Sequence, residues 1–487
     1  MGEQHDPWRD APMRASQVSA SLPSASSSAA RERLRSFLEE RRGARKPVED
    51  FEEFEHELHD LFAAAEAEVV AEELARCDVD LPAVEIEGVL HHRVLRCECT
   101  YLATAGEVRV MRSLYATRTA GDRAVCPMEL RAGIVEGFWT PRAAKQAAWV
   151  VAHLTPYEGA DLFRTLGGMA PSKSSLDRLP KALSMRWERD RVGLEAELRA
   201  AERVPKEAVT VAASLDGIRL PLKEGQRTEK RAKQKADGKE TRGPAGYSEA
   251  TCATLSFYDA EGERLLTRRM GRMPEARKVT LKEMLTAELE AILKQRGDLQ
   301  IVKIADGAPD NWTYLGPCLP SGTEILDFYH AAEHVHVALQ AAHGETNPKT
   351  AAQFEKLRLV LRDERRGVDK VIRALRHLRD RYPNRGKIGQ ALRFIRRMRQ
   401  RMDYASYQAK NLPIGSGVME ATCKTLVSQR LRRSGMRWSH AGGQAVLTLR
   451  SLAQSDRFER GWHLLARTYM KEVKPPAKIL ELGAWRR

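Results

Sequence analysis

The spacing of apolar residues changes several times along the chain, and each change marks a change in predicted structure. From Arg31 to about Cys77, apolar side chains recur at three- and four-residue steps, which is typical of amphipathic helices. Pro47 separates two such helices. Between residues 84 and 118 apolar and polar residues alternate around a short turn at residues 104–106, and this predicts a β-hairpin.

Helical spacing returns at residues 140–186 in three short segments. A Thr-Pro pair begins each of the first two, and two glycines precede the third, whose Pro180 is a candidate kink. Short helices around a glycine-containing turn are typical of a helix-turn-helix. A charged linker helix follows to residue 204. This interpretation places three side chains against DNA: Lys173, Ser175 and Arg178.

Residues 205–340 combine strand and helix patterns. Three strand patterns come first (209–215, 251–258 and 264–268), with a Lys/Arg-rich loop at 223–243 between the first two. An amphipathic helix follows, and then two further strands at 299–305 and 323–326, which are separated by a short helix or turn. A helix that crosses between strands implies a sheet with a parallel portion. This order predicts an α+β fold with an RNase H-like mixed sheet.

The remaining segments complete the predicted domain organisation. Residues 1–30 are rich in Ser, Ala and Pro and are expected to be a disordered tail, because this composition buries no core. Residues 31–135 hold the N-terminal helices and hairpin, and residues 136–204 the helix-turn-helix-like region. The RNase H-like core begins at 205–340, is interrupted by a basic all-helical insertion at 341–410, and resumes at 411–487 with C-terminal helices.

Charge and cysteine content narrow the class of protein. The net charge is +15, and the basic residues cluster along the second half of the chain, which favours a polyanionic partner such as DNA. Seven cysteines without a regular framework indicate a reducing compartment. No apolar run is long enough for a membrane span, and no signal peptide is visible. We therefore expect a cytoplasmic protein without a membrane partner.

A zinc site is the alternative for the hairpin region. His91, His92, Cys97, Cys99 and Cys126 are potential ligands, but they form no CxxC pair. We therefore favour a hairpin with ordinary buried thiols.

Three carboxylates carry the candidate chemistry. Asp216 and Asp306 each follow an apolar strand pattern and precede glycine, and Glu420 follows a Gly-Ser-Gly turn within a basic segment. Strand ends in a mixed sheet share one rim, so these acids are expected to converge and hold two divalent cations for phosphoryl transfer. Plain salt bridges with nearby arginines are the alternative. Asp310 is the rival to Asp306 as the second acid.

Four motifs in order resemble bacterial DDE transposases of the ISKra4 insertion-sequence group. They are Ser-Leu-Asp-Gly at 214–217, Ala-Asp-Gly-Ala-Pro-Asp-Asn-Trp at 305–312, Leu-Asp-Phe-Tyr-His at 326–330, and the block at 415–438. The resemblance covers roughly residues 85–465. It implies an RNase H-like catalytic domain with a helical insertion, Mg²⁺ dependence (Mn²⁺ being a possible substitute), and DNA transposition. It also implies a catalytic and metal-binding triad of Asp216, Asp306 and Glu420, and an assembly of at least two chains on DNA.

Further side chains near these motifs are candidates for supporting roles. Asp327 and His330 match an accessory pair of related transposases; His330 is either an acid/base or phosphate-orienting group, or a structural histidine bonded to Asp327. Trp438 either stacks on an unpaired base or belongs to the core. Four basic residues are expected along one helix and against the DNA backbone: Lys424, Arg430, Arg432 and Arg433.

These observations predict a DNA transposase that cleaves the ends of a mobile element, recognised as terminal inverted repeats, and joins them to target DNA. Two alternatives remain open. One is an RNase H-like nuclease that cleaves without strand transfer, and the other is a domesticated DNA-binding protein that no longer cleaves.

Overall fold

A computed structural model describes residues 29–119, 121–225, 227–238, 246–382 and 386–476 of the 487-residue chain. The predicted disordered tail, residues 1–30, lies outside these ranges except for Ala29 and Ala30. These two residues begin the first helix, so the tail prediction extends too far at its end. Within the described ranges, no helix combines the length and apolar character needed to cross a bilayer.

In the N-terminal part, helices α2 and α3 pack against a small antiparallel sheet and α1 packs on α2, and the predicted hairpin is present. The sheet has the order β3-β2-β1-β9, and its edge strand β9 comes from the far end of the chain. The elements are α1 (Ala29–Gly43), α2 (Phe51–Cys77), β1 (Ala83–Ile86), β2 (Val89–Ala103), β3 (Gly106–Ala116), α3 (Pro127–Ala132) and β9 (Val473–Lys474).

The three helices predicted at 140–186 are confirmed, together with the charged helix after them. Their bounds are α4 (Pro141–His153), α5 (Pro156–Leu166), α6 (Lys173–Arg189) and α7 (Arg191–Ala200). Thr155 caps α5 through a reciprocal pair of hydrogen bonds with Glu158. The helix α6 continues through Pro180, which is buried in its interior.

A mixed five-stranded sheet forms the centre of the molecule, in the order β6-β5-β4-β7-β8. The strands β4, β5 and β6 form an antiparallel meander, whereas β4, β7 and β8 run parallel. The predicted α+β class and mixed sheet are therefore confirmed. The strands of this sheet and the helices that connect them are β4 (Thr210–Leu222), β5 (Gly246–Tyr258), β6 (Arg264–Arg272), α9 (Val279–Gln295), β7 (Gln300–Ala305), α10 (Pro309–Leu315) and β8 (Thr323–Leu326).

Two details of this sheet differ from the sequence prediction. The strand β4 does not end before Asp216 but continues to Leu222, because it stays paired with β5 over that whole length. The segment predicted as a loop at 223–243 contains a helix, α8 (Thr228–Ala236), which has no buried residue. Apolar spacing cannot reveal such a helix, because its composition is basic and poor in apolar residues.

The basic region after the sheet is helical, as predicted, but its helices extend the core of the sheet. One continuous apolar cluster includes Leu215 and Ile304 of the sheet, Val335 and the insertion residues Leu375 and Ile395. The arginines therefore lie on the outer faces of helices whose inner faces are buried. The bounds are α11 (Phe328–His343), α12 (Pro348–Asp363), α13 (Gly367–Arg381), α14 (Gly386–Met398) and α15 (Tyr404–Gln408).

The chain then returns to the sheet through a helical run. α16 (Gly417–Thr422) continues through a π-helical turn (Cys423–Ser428) into α17 (Gln429–Leu431). The last helices, α18 (His440–Gln454) and α19 (Phe458–Arg467), share an apolar cluster with α4, α6 and α7. Apolar contacts thus cross the predicted domain boundaries, and the domain division itself stays a prediction.

A buried ion network joins β6 and α9 to the segments that follow α7 and precede α19. The Arg457 guanidinium lies 2.7 Å from Glu288 Oε1 and binds Glu202, and Arg268 lies 3.1 Å from Glu202 and 3.2 Å from Glu288. All four side chains are almost completely buried. Burial alone would raise the pKa of Glu288, but the arginines hold that pKa below its ordinary value.

We expect Arg457→Met to be strongly destabilising, because it leaves two buried carboxylates with one remaining buried cation. The free energy of unfolding should fall by about 3–5 kcal/mol. Arg460→Met is the matched control: Arg460 also reaches Glu202, but its side chain is half exposed. This control should cost less than about 1 kcal/mol. Denaturant unfolding of both variants checks the difference, and equal losses would contradict it.

Candidate active site

Asp216 and Asp306 lie side by side on neighbouring parallel strands. Ser214 of β4 pairs with Ile304 of β7, and each aspartate lies two residues further along the chain. Both therefore stand at the same level of the sheet, although Asp216 lies within β4 and Asp306 directly follows β7. Burial, and then the negative charges of Asp306 and Glu249, raise the pKa of Asp216. Two carboxylates this close repel each other unless a proton or cation lies between them.

The loop after β7 fixes the orientation of Asp306. Its Oδ1 accepts hydrogen bonds of 3.0 Å from the backbone of Ala308 and from Asn311 Nδ2. The same buried Asn311 amide donates to the carbonyl of Leu215, 3.2 Å away. Asn311 therefore bridges the two strands that carry the acids, and it holds Asp306 in place without neutralising its charge.

Asp310 pairs with two lysine side chains and not with Asp216. Its carboxylate is exposed and lies 3.5 Å from Lys278 and 3.9 Å from Lys282. Of the two candidates for the second acid, Asp306 is thus the one beside Asp216, and Asp310 is paired with lysines.

Lys278 is a member of this site that the sequence did not reveal. Its ammonium lies 3.2 Å from Glu249 Oε1 and 3.4 Å from Asn311 Oδ1, and its charge acts to lower the pKa of Asp216. Arg277 and Lys278 both have left-handed backbone conformations, with φ of 55° and 56°. Such a conformation is uncommon for residues other than glycine, so the turn before α9 is strained where it delivers this lysine. No local sequence signal identifies it.

Glu420 reaches the same side of the sheet on the helix α16 but stands apart from the aspartates. Its side chain is exposed. Three residues later, Cys423 Sγ lies 4.0 Å from Asp216 Oδ2, so the helical face that carries Glu420 adjoins the site. Within the described residues, no three His, Cys, Asp or Glu side chains are close enough to hold a metal ion. The structure thus places two of the three predicted acids on or directly after adjacent strands, and the third on a helical run that contacts Asp216 through Cys423.

Asp327 fastens the Gly-Ser-Gly turn to the end of the sheet. It is buried, caps α11 by accepting from the His330 backbone N–H at 2.6 Å, and also accepts from the Ser416 backbone N–H. The Phe328 N–H donates to the Ile414 carbonyl at 2.9 Å. Asp327 therefore bonds the backbone of His330, and not its imidazole as one expectation had it. The turn that precedes Glu420 is held at two points.

The His330 ring lies among aromatic side chains of α11 and α14. It contacts His334 and Phe394 edge to face and lies 3.9 Å from Glu333. Phe394 also closes over Gly307, where a Cβ atom would collide with its ring. The glycine after Asp306 is therefore required by an insertion helix that packs directly on the loop carrying this acid.

The predicted DNA-contacting residues fall into two groups. Lys173, Arg178, Lys424 and Arg432 are exposed. Arg433 binds Glu158 at 2.6 Å, and Arg430 is buried beside the ring of Trp438. The expectation of one basic helix is corrected, because α17 ends at Leu431 and leaves Arg432 and Arg433 beyond it. Trp438 is partly buried and donates through its indole N–H to the Leu431 carbonyl at 2.9 Å, as a core residue would.

The potential zinc ligands of the hairpin region are dispersed. Cys97 and Cys99 are half buried on β2, Cys126 is buried at the start of α3, and all three thiols are free. Burial raises the pKa of Cys126 to about 11, so this thiol stays protonated at neutral pH.

Comparison with solved structures finds a similarity to the Drosophila P element transposase strand transfer complex. The match covers 73% of this chain and 84% of that chain, with 12% sequence identity and a TM-score of 0.25. No protein-family model matches the chain, and no curated protein matches it.

Asp216→Asn should stabilise the protein at neutral pH. Because the pKa of Asp216 is raised on folding, the folded state binds more protons than the unfolded state just above the ordinary aspartate pKa. Stability is therefore lost as pH rises through that window. The variant should melt above the wild type at pH 7, and the gain should vanish below about pH 4. Asp310→Asn, at an exposed aspartate, should show no gain. A lower melting temperature for Asp216→Asn at pH 7 would contradict the unfavourable charge assigned to Asp216.

Asp327→Ala should release the Gly-Ser-Gly turn. The substitution leaves the N–H groups of His330 and Ser416 without their acceptor, at a cost of about 1–3 kcal/mol for each buried group. Backbone hydrogen exchange at residues 412–420 should become faster than in the wild type. Asp327→Asn, which retains one acceptor oxygen, should show a smaller change; unaltered exchange in Asp327→Ala would refute the role given to this residue.

Proposed function

We propose that this chain is a DNA transposase with an RNase H-like catalytic core, of the ISKra4 insertion-sequence type. The observation that carries the proposal is the pairing of Asp216 and Asp306 on adjacent parallel strands, at the centre of a sheet whose first three strands are antiparallel. This mixed strand order supports the proposal of an RNase H-like core. The third acid, Glu420, follows after a helical insertion on a helix beside Asp216.

The donor set suits a divalent cation. Mg²⁺ and Mn²⁺ prefer carboxylate oxygens, and the mutual repulsion of Asp216 and Asp306 is relieved by a cation between them. Asp216 and Asp306, together with Glu420, would hold the ions. The bound ions would supply activation of the attacking oxygen and stabilisation of the leaving oxygen in phosphoryl transfer.

The remaining residues of the site orient these acids. Asn311 fixes the Asp306 carboxylate, and Asp327 fixes the turn that precedes Glu420. Lys278 balances part of the negative charge of the site. DNA would approach over four exposed basic residues, with two or more chains assembled on paired element ends. These residues are Lys173 and Arg178 of α6, Lys424 and Arg432.

Cleavage and joining of DNA that carries the flanks of the coding region test the proposal. The purified protein should nick this DNA and join its 3′ ends to target DNA only with Mg²⁺ or Mn²⁺. Asp216→Asn, Asp306→Asn and Glu420→Gln should each lower the rate by at least about 100-fold. Asp310→Asn, the matched control, should stay within a few-fold of the wild type.

Three outcomes separate this function from its rivals. Cleavage without joining would favour an RNase H-like nuclease. Binding without metal-dependent cleavage would favour a DNA-binding protein that has lost catalysis. Full activity in both Asp216→Asn and Glu420→Gln would reject the site itself.

A further inference from the structure

A cavity of about 440 Å³ lies between the helix α6 and the segment that follows α17. Its volume falls in the range typical of ligand-binding pockets. One wall is the α6 face with Lys173, Asp177 and Lys181, and the opposite wall includes Arg430 and Trp438. Asp216, Asp306 and Glu420 do not line it, so it is separate from the candidate active site.

Arg430 is the unusual residue of this cavity. Its side chain is only 2% exposed, and two of its nitrogen atoms, Nε and Nη1, are buried without a hydrogen-bond partner among the described residues. Burial, together with the positive charges of Arg433 and Arg450, lowers the pKa of Arg430 to about 10. A buried guanidinium with unused donors is costly, and such groups are rare in folded proteins.

Arg450 is a buried arginine for comparison, and its role is purely structural. It is 4% exposed, and its pKa is also lowered to about 10. However, its guanidinium donates to the carbonyls of Ala152 at 2.6 Å, Leu426 at 2.9 Å and Thr425. The donors of Arg450 are thus used within the chain, whereas Arg430 lines a cavity and has two donors without a partner among the described residues.

The charge of the cavity identifies the class of ligand. A guanidinium with free donors pairs with carboxylate or phosphate groups. The carboxylate on the α6 wall, Asp177, already binds Lys181 at 2.5 Å, which leaves Lys173 and Arg430 in excess. An excess of positive charge favours a phosphate over a singly charged carboxylate. Lys173 lines the cavity and is also exposed on α6, where a DNA strand would pass.

We propose that this cavity binds a phosphate group of a DNA strand, with Arg430 as the residue that recognises it. The inference rests on the proposed function in that DNA supplies the phosphate. Binding would give the unused donors of Arg430 their partners and would connect the α6 region to the helical run that carries Glu420.

Thermal unfolding of the full chain tests the site, with inorganic phosphate and short single-stranded and duplex oligonucleotides as probes. Phosphate should raise the melting temperature of the wild type by a few degrees near saturation. Arg430→Met should melt at or above the unliganded wild type, because an unpaired buried charge is removed, and should lose the phosphate-dependent rise. Its affinity for the oligonucleotides should fall about tenfold.

Arg450→Met is the control with similar burial and equal loss of charge. It should melt several degrees lower, since three carbonyls lose their donor, yet should keep the phosphate-dependent rise. If Arg430→Met instead melts well below the wild type and phosphate stabilises it equally, Arg430 is structural and the inference is overturned. Loss of the phosphate effect with unchanged oligonucleotide affinity would overturn DNA as the source.

The failures of the two proposals are distinguishable. A phosphate effect that depends on Arg430 would persist in a chain that cleaves no DNA. Conversely, metal-dependent cleavage with normal DNA affinity in Arg430→Met would leave the proposed function intact and reject this site.

Discussion

The parallel pairing of β4 with β7 is the constraint on which the rest of the site depends. Parallel strands need a crossover connection, and here α9 leads the chain from the edge strand β6 across to β7, on the other side of β4. Once the two strands are in register, Asp216 and Asp306 must stand side by side. Asn311 then reaches both strands, and the helical run with Cys423 covers the same end of the sheet. A shift of one residue in this register would turn one aspartate to the opposite face.

This arrangement concentrates unfavourable electrostatics on the inner strands β4 and β7, whereas other buried charges are neutralised within the chain. The aspartates repel each other, and Lys278 is delivered by a strained turn. By contrast, Arg457 is paired with two buried glutamates, Glu288 of α9 and Glu202 of the segment after α7. The contrast is expected of a protein in which the charged groups of the site are kept for a ligand, while other buried charges are neutralised within the chain.

Much of the fold could be predicted from the sequence, since strand and helix patterns in residues 205–340 are long and their period is clear. The hairpin at β2 and β3 and the helices α4–α6 also carried local signals. The continuation of β4 past Asp216 did not, because polar residues interrupt the apolar pattern at a site that needs them. The polar helix α8 was missed because it buries no residue and so has no apolar face.

The residues of the site also divide into those with a local sequence signal and those without one. Asp216, Asp306 and Glu420 stand in recognisable local motifs, so they could be named from the sequence. Lys278 reaches the site through two residues with left-handed backbone conformations, and it forms an ion pair with Glu249, which lies on β5. Likewise, the pairing of Arg433 with Glu158 and the burial of Arg430 follow from how α5 and α6 meet the C-terminal segment. Contacts between distant segments carry no signal in local spacing.

The apolar cluster that α18 shares with α4 and α6 has a consequence for how such a protein would measure distance. The helix α18 also packs on β4 and β5 in a second apolar cluster, so it contacts both α4 and α6 and the five-stranded sheet. Under the proposed function, the distance between the DNA sequence held by the helices and the point of cleavage would be constant. Because the DNA helix repeats about every 10 to 10.5 base pairs, a spacer altered by half a turn would present the wrong face of the duplex to the acids. The cut would then be set by geometry and not by the bases at the point of cleavage.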